Sequence, residues 1–174
     1  MHAMTSPVPR LVVAGTNSGS GKTTLSLALL AAFARKGLRV FPFKCGPDYI
    51  DPAFLQAAAG TGCINLDAWL MPEEVLAQSF LRRMREAADA PGAPLALIEG
   101  VMGYFDGLDR SSRCSTAHIA QCLDAPVLLV LNAQGLSLSA AAIVQGFAGF
   151  QAELAEPQPD TLSSRIRGVV CNNV

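Results

Sequence analysis

Short apolar runs separated by longer helix-prone stretches set the pattern of this chain. Segments of strand length lie at Leu11 to Ala14, Val40 to Phe43, Leu95 to Ile98, Val127 to Leu131 and Ile166 to Cys171. Helices are predicted at Lys22 to Lys36, Pro52 to Ala59, Pro72 to Ala88, Ser115 to Leu123 and Leu138 to about Gln151. Buried strands that alternate with helices predict an α/β fold with a parallel, doubly wound sheet. In such a sheet, ligands bind at the carboxyl ends of the strands.

Composition fits one globular domain with a full-sized core. The 174 residues are 51% hydrophobic and 16% charged, with a formal net charge of -1. No long run of lysine or arginine occurs, so charge gives no support to a nucleic-acid or membrane-surface partner. Residues 125–152 carry no charge, but Asn132, Gln134 and Gly135 interrupt the apolar run, which favours a buried strand and a helix over a membrane span.

The remaining compositional features concern the compartment and the irregular segments. The five cysteines form no C-x-x-C pair, which suits reduced thiols and a cytoplasmic location. Residues 1–10 lack the basic and apolar regions of a secretory signal and are predicted to be a loose lead-in. Residues 156–164, with two prolines, are predicted to be a surface loop.

A glycine-rich segment, GTNSGSGKT at residues 15–23, joins the first strand to the first helix. Its backbone N–H groups and the helix N-terminus can surround phosphate oxygens, Lys22 can reach the outer phosphates and Thr23 can hold Mg²⁺. The strict motif has glycine where this chain has Thr16, so the loop is a variant. The segment predicts a P-loop NTPase architecture that binds ATP through Thr16, Asn17, Ser18, Gly19, Ser20, Gly21, Lys22, Thr23 and Thr24.

A second loop, FKCGPDYIDP at residues 43–52, follows the second strand. Asp51 before Pro52 is typical of a helix start, which favours a capping role for Asp51 over a chemical one. Asp48 has no such role in the sequence pattern and is the better candidate for binding metal or substrate. Lys44, at a strand end beside the phosphate loop, can stabilise charge on a transferring phosphoryl group.

A third loop, EGVMGYFDG at residues 99–107, follows a buried strand. Glu99 stands where nucleotide-hydrolysing folds place the carboxylate that holds Mg²⁺, directly or through water. The glycines of this loop allow close approach of a ligand. For Asp106 the sequence allows two roles, a contact with the substrate or a turn residue.

Together, the phosphate loop, FKCGPDYIDP, Asn65-Leu66-Asp67, EGVMGYFDG and Ser115-Thr116-Ala117 resemble the N-terminal domain of the cobyrinate or hydrogenobyrinate a,c-diamide synthases of cobalamin biosynthesis. The resemblance implies an ATP- and Mg²⁺-dependent amidation of the a and c acetate groups of a corrinoid or other tetrapyrrole polycarboxylate. A separate C-terminal glutamine amidotransferase domain would supply the ammonia. By motif, Asp48 would bind metal or substrate, and Tyr49 and Ile50 would contact the macrocycle.

The resemblance also implies that the chain is one domain of a longer protein, and it leaves alternative functions open. Residues 1–174 are expected to be the ATP-binding synthetase domain without the amidotransferase domain, because no cysteine has the setting of a glutaminase nucleophile with a partner histidine. For Asn172 the sequence allows two roles, recognition of the nucleotide base or a turn at the end of a strand. The rival functions are a nickel-sirohydrochlorin a,c-diamide synthase, a ligase like dethiobiotin synthetase, and an ATPase switch, although switches usually carry lysine where this chain has Asn17.

Overall fold

The computed structural model describes residues 8–88, 92, 94–108, 111–154 and 165–174. Its strands are β1 (Arg10–Gly15), β2 (Arg39–Cys45), β3 (Ile64–Leu66), β4 (Pro94–Glu99), β5 (Val127–Asn132) and β6 (Ile166–Asn172). Its helices are α1 (Lys22–Arg35), α2 (Asp51–Ala59), α3 (Glu73–Ala88), α4 (Thr116–Cys122) and α5 (Ser139–Leu154). The predicted loop at residues 156–164 lies outside the described residues, as does most of the predicted lead-in.

All six strands pair in parallel, in the order β3-β2-β4-β1-β5-β6, which confirms the predicted doubly wound sheet. The prediction missed β3. This strand has only three residues, pairs with β2 alone and contains the polar Asn65, so it offers no apolar run to detect. Helix bounds agree with the prediction to within about three residues, the usual scatter at helix ends.

The two faces of the sheet carry separate apolar cores. On one face, Leu30 of α1 and Leu55 of α2 pack with Val13, Val40, Leu97 and Val130 of the strands. The opposite face is larger and buries side chains from α3 and α4, including Leu76, Phe80, Met84, Ile119 and Ala120. Because parallel crossovers are right-handed, a chain that reverses its direction across the sheet must change faces at the reversal.

The reversal lies between β1 and β4 and positions the site. From β1 the chain moves towards β2 and β3, whereas from β4 it moves towards β5 and β6. The two strands are neighbours, with Val13 opposite Glu99. Their carboxyl ends therefore flank the crevice in which doubly wound folds bind ligands.

Candidate functional site

The phosphate loop, residues 16–21, leaves the N-terminus of α1 open to a ligand. Gly21 is the N-cap residue with φ 101°, no side chain caps the helix, and its first turn contains no acidic residue. The free N–H groups of that turn and the helix dipole thus favour an anion. The loop closes tightly on itself, because a Cβ at Gly15 would overlap Ser20 Oγ. This close approach explains why position 15 requires glycine, even though the strict motif has its first glycine one residue later, where this chain has Thr16.

Asn172, at the end of β6, supports the phosphate loop from behind. Its Nδ2 donates to Ser20 O at 3.0 Å, and a Cβ at Gly21 would overlap the same amide group. Only glycine fits at position 21, both for this contact and for its positive φ. Asn172 therefore fixes the loop backbone, whereas its predicted contact with a nucleotide base stays a prediction.

Lys22 is buried and bound to two backbone carbonyls. Its Nζ donates to Met102 O at 2.6 Å and to Asn17 O at 3.2 Å. Met102 has φ 47°, which is uncommon for a residue other than glycine, in the loop that directs this carbonyl at the lysine. Burial lowers the pKa of Lys22, and the neighbouring charge of Lys44 lowers it further against the attraction of Glu99.

Glu99 lies at the centre of the site and has no solvent exposure. Its Oε1 accepts from Thr23 Oγ1 at 2.6 Å and from Lys44 Nζ at 3.0 Å. Its Oε2 is buried, and no described residue forms a hydrogen bond with it. A hydroxyl oxygen beside a carboxylate with one unpaired oxygen is the kind of hard donor set that suits Mg²⁺, so the predicted residues Thr23 and Glu99 fit this ion.

Lys44 is surrounded by acceptors. Its Nζ lies 2.8 Å from Asp51 Oδ2, 3.2 Å from Gly100 O and 3.7 Å from Asp48 Oδ2, in addition to Glu99. Burial alone would lower the pKa of Lys44, but Glu99 and Asp51 outweigh burial and raise it. The lysine is therefore held as a cation inside the site.

The capping role expected of Asp51 needs correction, whereas the metal or substrate role of Asp48 stays a prediction. Asp48 Oδ1 accepts from the backbone N–H groups of Ile50 and Asp51 at 2.9 and 3.0 Å, so Asp48 stabilises the start of α2. Asp51 makes no side-chain cap and binds Lys44 instead. Although burial would raise the pKa of Asp48, these backbone donors and Lys44 lower it. The Asp-Pro pattern favours capping by Asp51 because it considers only adjacent residues. It contains no information on where the folded chain places Lys44.

The predicted substrate residues lie on two sides of the site. Tyr49 and Ile50 are exposed between the two aspartates. Asp106 is also exposed, and its Oδ2 accepts from Gly103 N at 2.9 Å, which is the turn role. Asp106 and Thr16 border a cavity of about 450 Å³ that Phe105 and the α5 residues Phe147 and Phe150 line. A substrate contact by Asp106 stays a prediction.

The fold also brings Glu73, His118 and Cys122 together, which the sequence did not indicate. Their ligand atoms lie within 4.8 Å of one another. His118 Nδ1 accepts from Cys114 N at 3.1 Å, so in the neutral ring the proton sits on Nε2, which faces Glu73 Oε1 at 2.9 Å. Burial, followed by the charge of Glu73, raises the pKa of Cys122 to about 12. This ring has no lone pair directed at the thiol, so the group contains no activated nucleophile.

The sheet, the open helix N-terminus and the buried lysines define a P-loop nucleotide-binding domain. In agreement, residues 11–174 match the family described as the CobQ/CobB/MinD/ParA nucleotide binding domain, and the chain belongs to this family. Among solved structures, chloroplast FtsY from Physcomitrella patens aligns with a TM-score of 0.55 at 22% identity, over 83% of this chain and 47% of that chain. At this identity the likeness shows the fold alone.

Similar sequences carry a more specific name. Cobyrinate a,c-diamide synthase of Syntrophotalea carbinolica is 50% identical over 147 residues, which are 84% of this chain and 31% of that protein. Its namesake in Listeria monocytogenes serotype 4b is 42% identical over 167 residues, or 95% of this chain and 33% of that protein. The chain thus spans about a third of the length of these relatives. Within the described residues, no helix combines the length and apolar character needed to cross a bilayer.

Proposed function

We propose that this domain carries out the ATP-dependent activation step in the amidation of the a and c acetate carboxylates of cobyrinic or hydrogenobyrinic acid. The observation that carries the proposal is the cluster of Lys22, Thr23, Lys44 and Glu99 at the carboxyl ends of three neighbouring strands. Relatives named cobyrinate a,c-diamide synthase support the choice of reaction and substrate.

The reaction needs activation because a carboxylate has no good leaving group. One carboxylate oxygen attacks the γ-phosphorus of ATP, ADP leaves, and an acyl phosphate forms. Ammonia then attacks the acyl carbon, and phosphate departs with the original carboxylate oxygen, which leaves the amide. The protein has to hold two anions together and neutralise the charge that develops between them.

The chain's own residues divide this work. Lys22 exchanges its two carbonyl partners for phosphate oxygens, and the N–H groups of residues 16–24 surround the phosphates. Thr23 and Glu99 would hold Mg²⁺, which supplies positive charge to the phosphates when bound, with Asp48 as a further candidate ligand. Lys44 stabilises the equatorial oxygens of the transferring group.

The remaining assignments concern recognition. Tyr49 and Ile50 contact the macrocycle, Asp106 contacts a polar group of the same substrate, and Asn172 positions the loop and the base. Ammonia comes from glutamine through an amidotransferase domain, and free ammonia can replace that source in a direct test.

The test combines the chain with ATP, MgCl₂, an ammonium salt and one candidate acid at a time, including nickel sirohydrochlorin as the rival substrate. We expect diamide formation from cobyrinic or hydrogenobyrinic acid, detected by mass spectrometry. When the substrate carboxylates carry a heavy oxygen isotope, the label should appear in the released phosphate. ATP hydrolysis that ignores every acid would instead support a nucleotide switch and would refute the proposal.

A further inference from the structure

Four large apolar side chains stand exposed on the two loops next to the lysine cluster. Tyr49 and Ile50, after β2, are 90% and 70% exposed, and Trp69 and Leu70, after β3, are 63% and 71% exposed. Soluble domains rarely leave such side chains grouped on one edge without a partner. We call these four residues the apolar platform.

Polar anchors hold the two loops of the apolar platform together. Asn65 Nδ2 of β3 donates to Asp48 O at 2.7 Å, and Gly46 N donates to Leu66 O at 2.9 Å. The nearly buried Asp67 accepts from Trp69 N at 2.8 Å and Leu70 N at 3.3 Å through Oδ1. These hydrogen bonds fix the backbone of both loops beside the ends of β2 and β3.

The position of the apolar platform relates it to phosphoryl transfer. Tyr49 and Ile50 lie between Asp48 and Asp51, whose carboxylates both face Lys44. Strands β2 and β3 are neighbours, with Cys45 opposite Leu66. Trp69 and Leu70 therefore follow β3 by only a few residues, at the same carboxyl-end edge of the sheet as Tyr49 and Ile50. A flat body that rests on these side chains would lie beside the loop that carries the two aspartates facing Lys44.

We propose that Trp69 and Leu70 are specificity-determining residues that bind the apolar plane of the tetrapyrrole, extending the surface of Tyr49 and Ile50 from β2 to β3. This inference rests on the proposed function. A tetrapyrrole polycarboxylate has an extended, conjugated apolar ring with carboxylates at its rim. An aromatic side chain suits the ring, which buries apolar surface on both partners while a rim acetate reaches the phosphoryl group.

The experiment measures binding of cobyrinic acid by calorimetry, with a non-hydrolysable ATP analogue and MgCl₂ present, for single variants of the chain. Trp69→Ala and Leu70→Ala should each weaken macrocycle binding about 10- to 100-fold, because truncation of a central apolar contact has an effect of this size. Trp69→Phe should restore most of the affinity. In ammonia-dependent turnover, KM for the macrocycle should rise while KM for ATP changes less than about twofold.

Two controls use exposed apolar residues elsewhere. Leu138→Ala removes a leucine on the β5–α5 connection that is even more exposed than Leu70, 83% against 71%, and should leave macrocycle affinity unchanged. Phe150→Ala removes an exposed aromatic ring at the cavity beside α5. If Phe150→Ala weakens binding while Trp69→Ala and Leu70→Ala do not, the macrocycle sits in that cavity and the inference is overturned.

The outcomes also separate this inference from the proposed function. If the unchanged chain binds ATP with Mg²⁺ but no corrin acid, the proposed function fails and the platform assignment fails with it. If the unchanged chain binds and amidates cobyrinic acid, and both platform variants do so equally well, only the assignment of Trp69 and Leu70 is wrong. Because both side chains are exposed, thermal unfolding should confirm that the variants are folded.

Discussion

Lys22, at the start of α1, and Lys44, near the end of β2, are buried lysines that face the same crevice, yet their partners differ. Lys22 binds the neutral carbonyls of Met102 and Asn17, and its pKa is lowered by burial. Lys44 is bound by carboxylates, and its pKa is raised. A neutral partner can be released at little cost when an anionic phosphate arrives, whereas a buried ion pair cannot be separated cheaply. Lys22 is therefore suited to bind an anionic ligand, and Lys44 is suited to keep a permanent positive charge beside the carboxylates of the site.

The largest expected effect tests ligand capture by Lys22. Lys22→Ala should lower the affinity for ATP with Mg²⁺ about 100-fold or more, because the loss removes a charge-assisted contact to the phosphates. Isothermal titration calorimetry measures this change. Lys36→Ala, at the exposed end of α1, is the matched control and should stay within about twofold. Equal affinities of the unchanged chain and Lys22→Ala would contradict the assigned role.

The second prediction concerns stability without nucleotide. Lys44→Met should lower the free energy of unfolding by about 3–5 kcal/mol, because it leaves Glu99 as an uncompensated buried charge. Lys22→Met should cost no more than about 1 kcal/mol, since only carbonyl bonds are lost. Urea denaturation measures both values, and adding Glu99→Gln to Lys44→Met should recover part of the loss.

The same variant gives a pH dependence with a defined sign. The folded pKa of Lys44 is raised, so its stabilising effect is complete below the ordinary lysine value of 10.5 and is lost as pH rises through the folded pKa. To avoid the titration of a glutamate that has lost its lysine, the unchanged chain is compared with Lys44→Met combined with Glu99→Gln, and their stability difference should not shrink between neutral pH and the ordinary lysine value. A difference that disappears near neutral pH would show that Lys44 is not held as a cation by the carboxylates.

The third prediction separates the charge of Asp48 from its structural role. Asp48→Asn keeps an oxygen acceptor for the N–H groups of Ile50 and Asp51, so stability should change by less than about 1 kcal/mol. Amidation should fall about 10- to 100-fold with ATP affinity nearly unchanged, because the negative charge near Lys44 is gone. Asp48→Ala removes both features and should also destabilise the chain. Full amidation by Asp48→Asn would restrict Asp48 to the turn.

The smallest expected effect reports on the packing around Lys44. Cys45 is completely buried, and burial together with the charge of Glu99 raises its pKa to about 12 despite Lys44. At neutral pH a folded chain should therefore leave Cys45 unlabelled by an aromatic disulfide reagent, while the exposed Cys171 reacts. Peptide mass mapping identifies the labelled thiol, with Cys171→Ser as the control. Rapid labelling of Cys45 would mean that the region around Lys44 opens.

Local sequence patterns predicted the elements whose physics is local. The apolar runs gave five of the six strands, and the glycine-rich segment before α1 predicted the open helix N-terminus. Features that depend on how loops and strands meet in three dimensions escaped prediction. Asp51 binds Lys44, seven residues earlier, because the loop after β2 brings the start of α2 back to the end of that strand, while Asp48 accepts the backbone hydrogen bonds there. Strand β3 exists because β2 offers it a partner, and its three residues carry too little pattern to reveal this.

The hydrogen bond from Asn172 to Ser20 joins positions 152 residues apart. A contact of this separation forms late, because a long stretch of chain must close before it can be made. During synthesis, the phosphate loop gains this support only after β6 has left the ribosome and docked beside β5. Ordering of the phosphate loop thus depends on a strand made long after the loop itself.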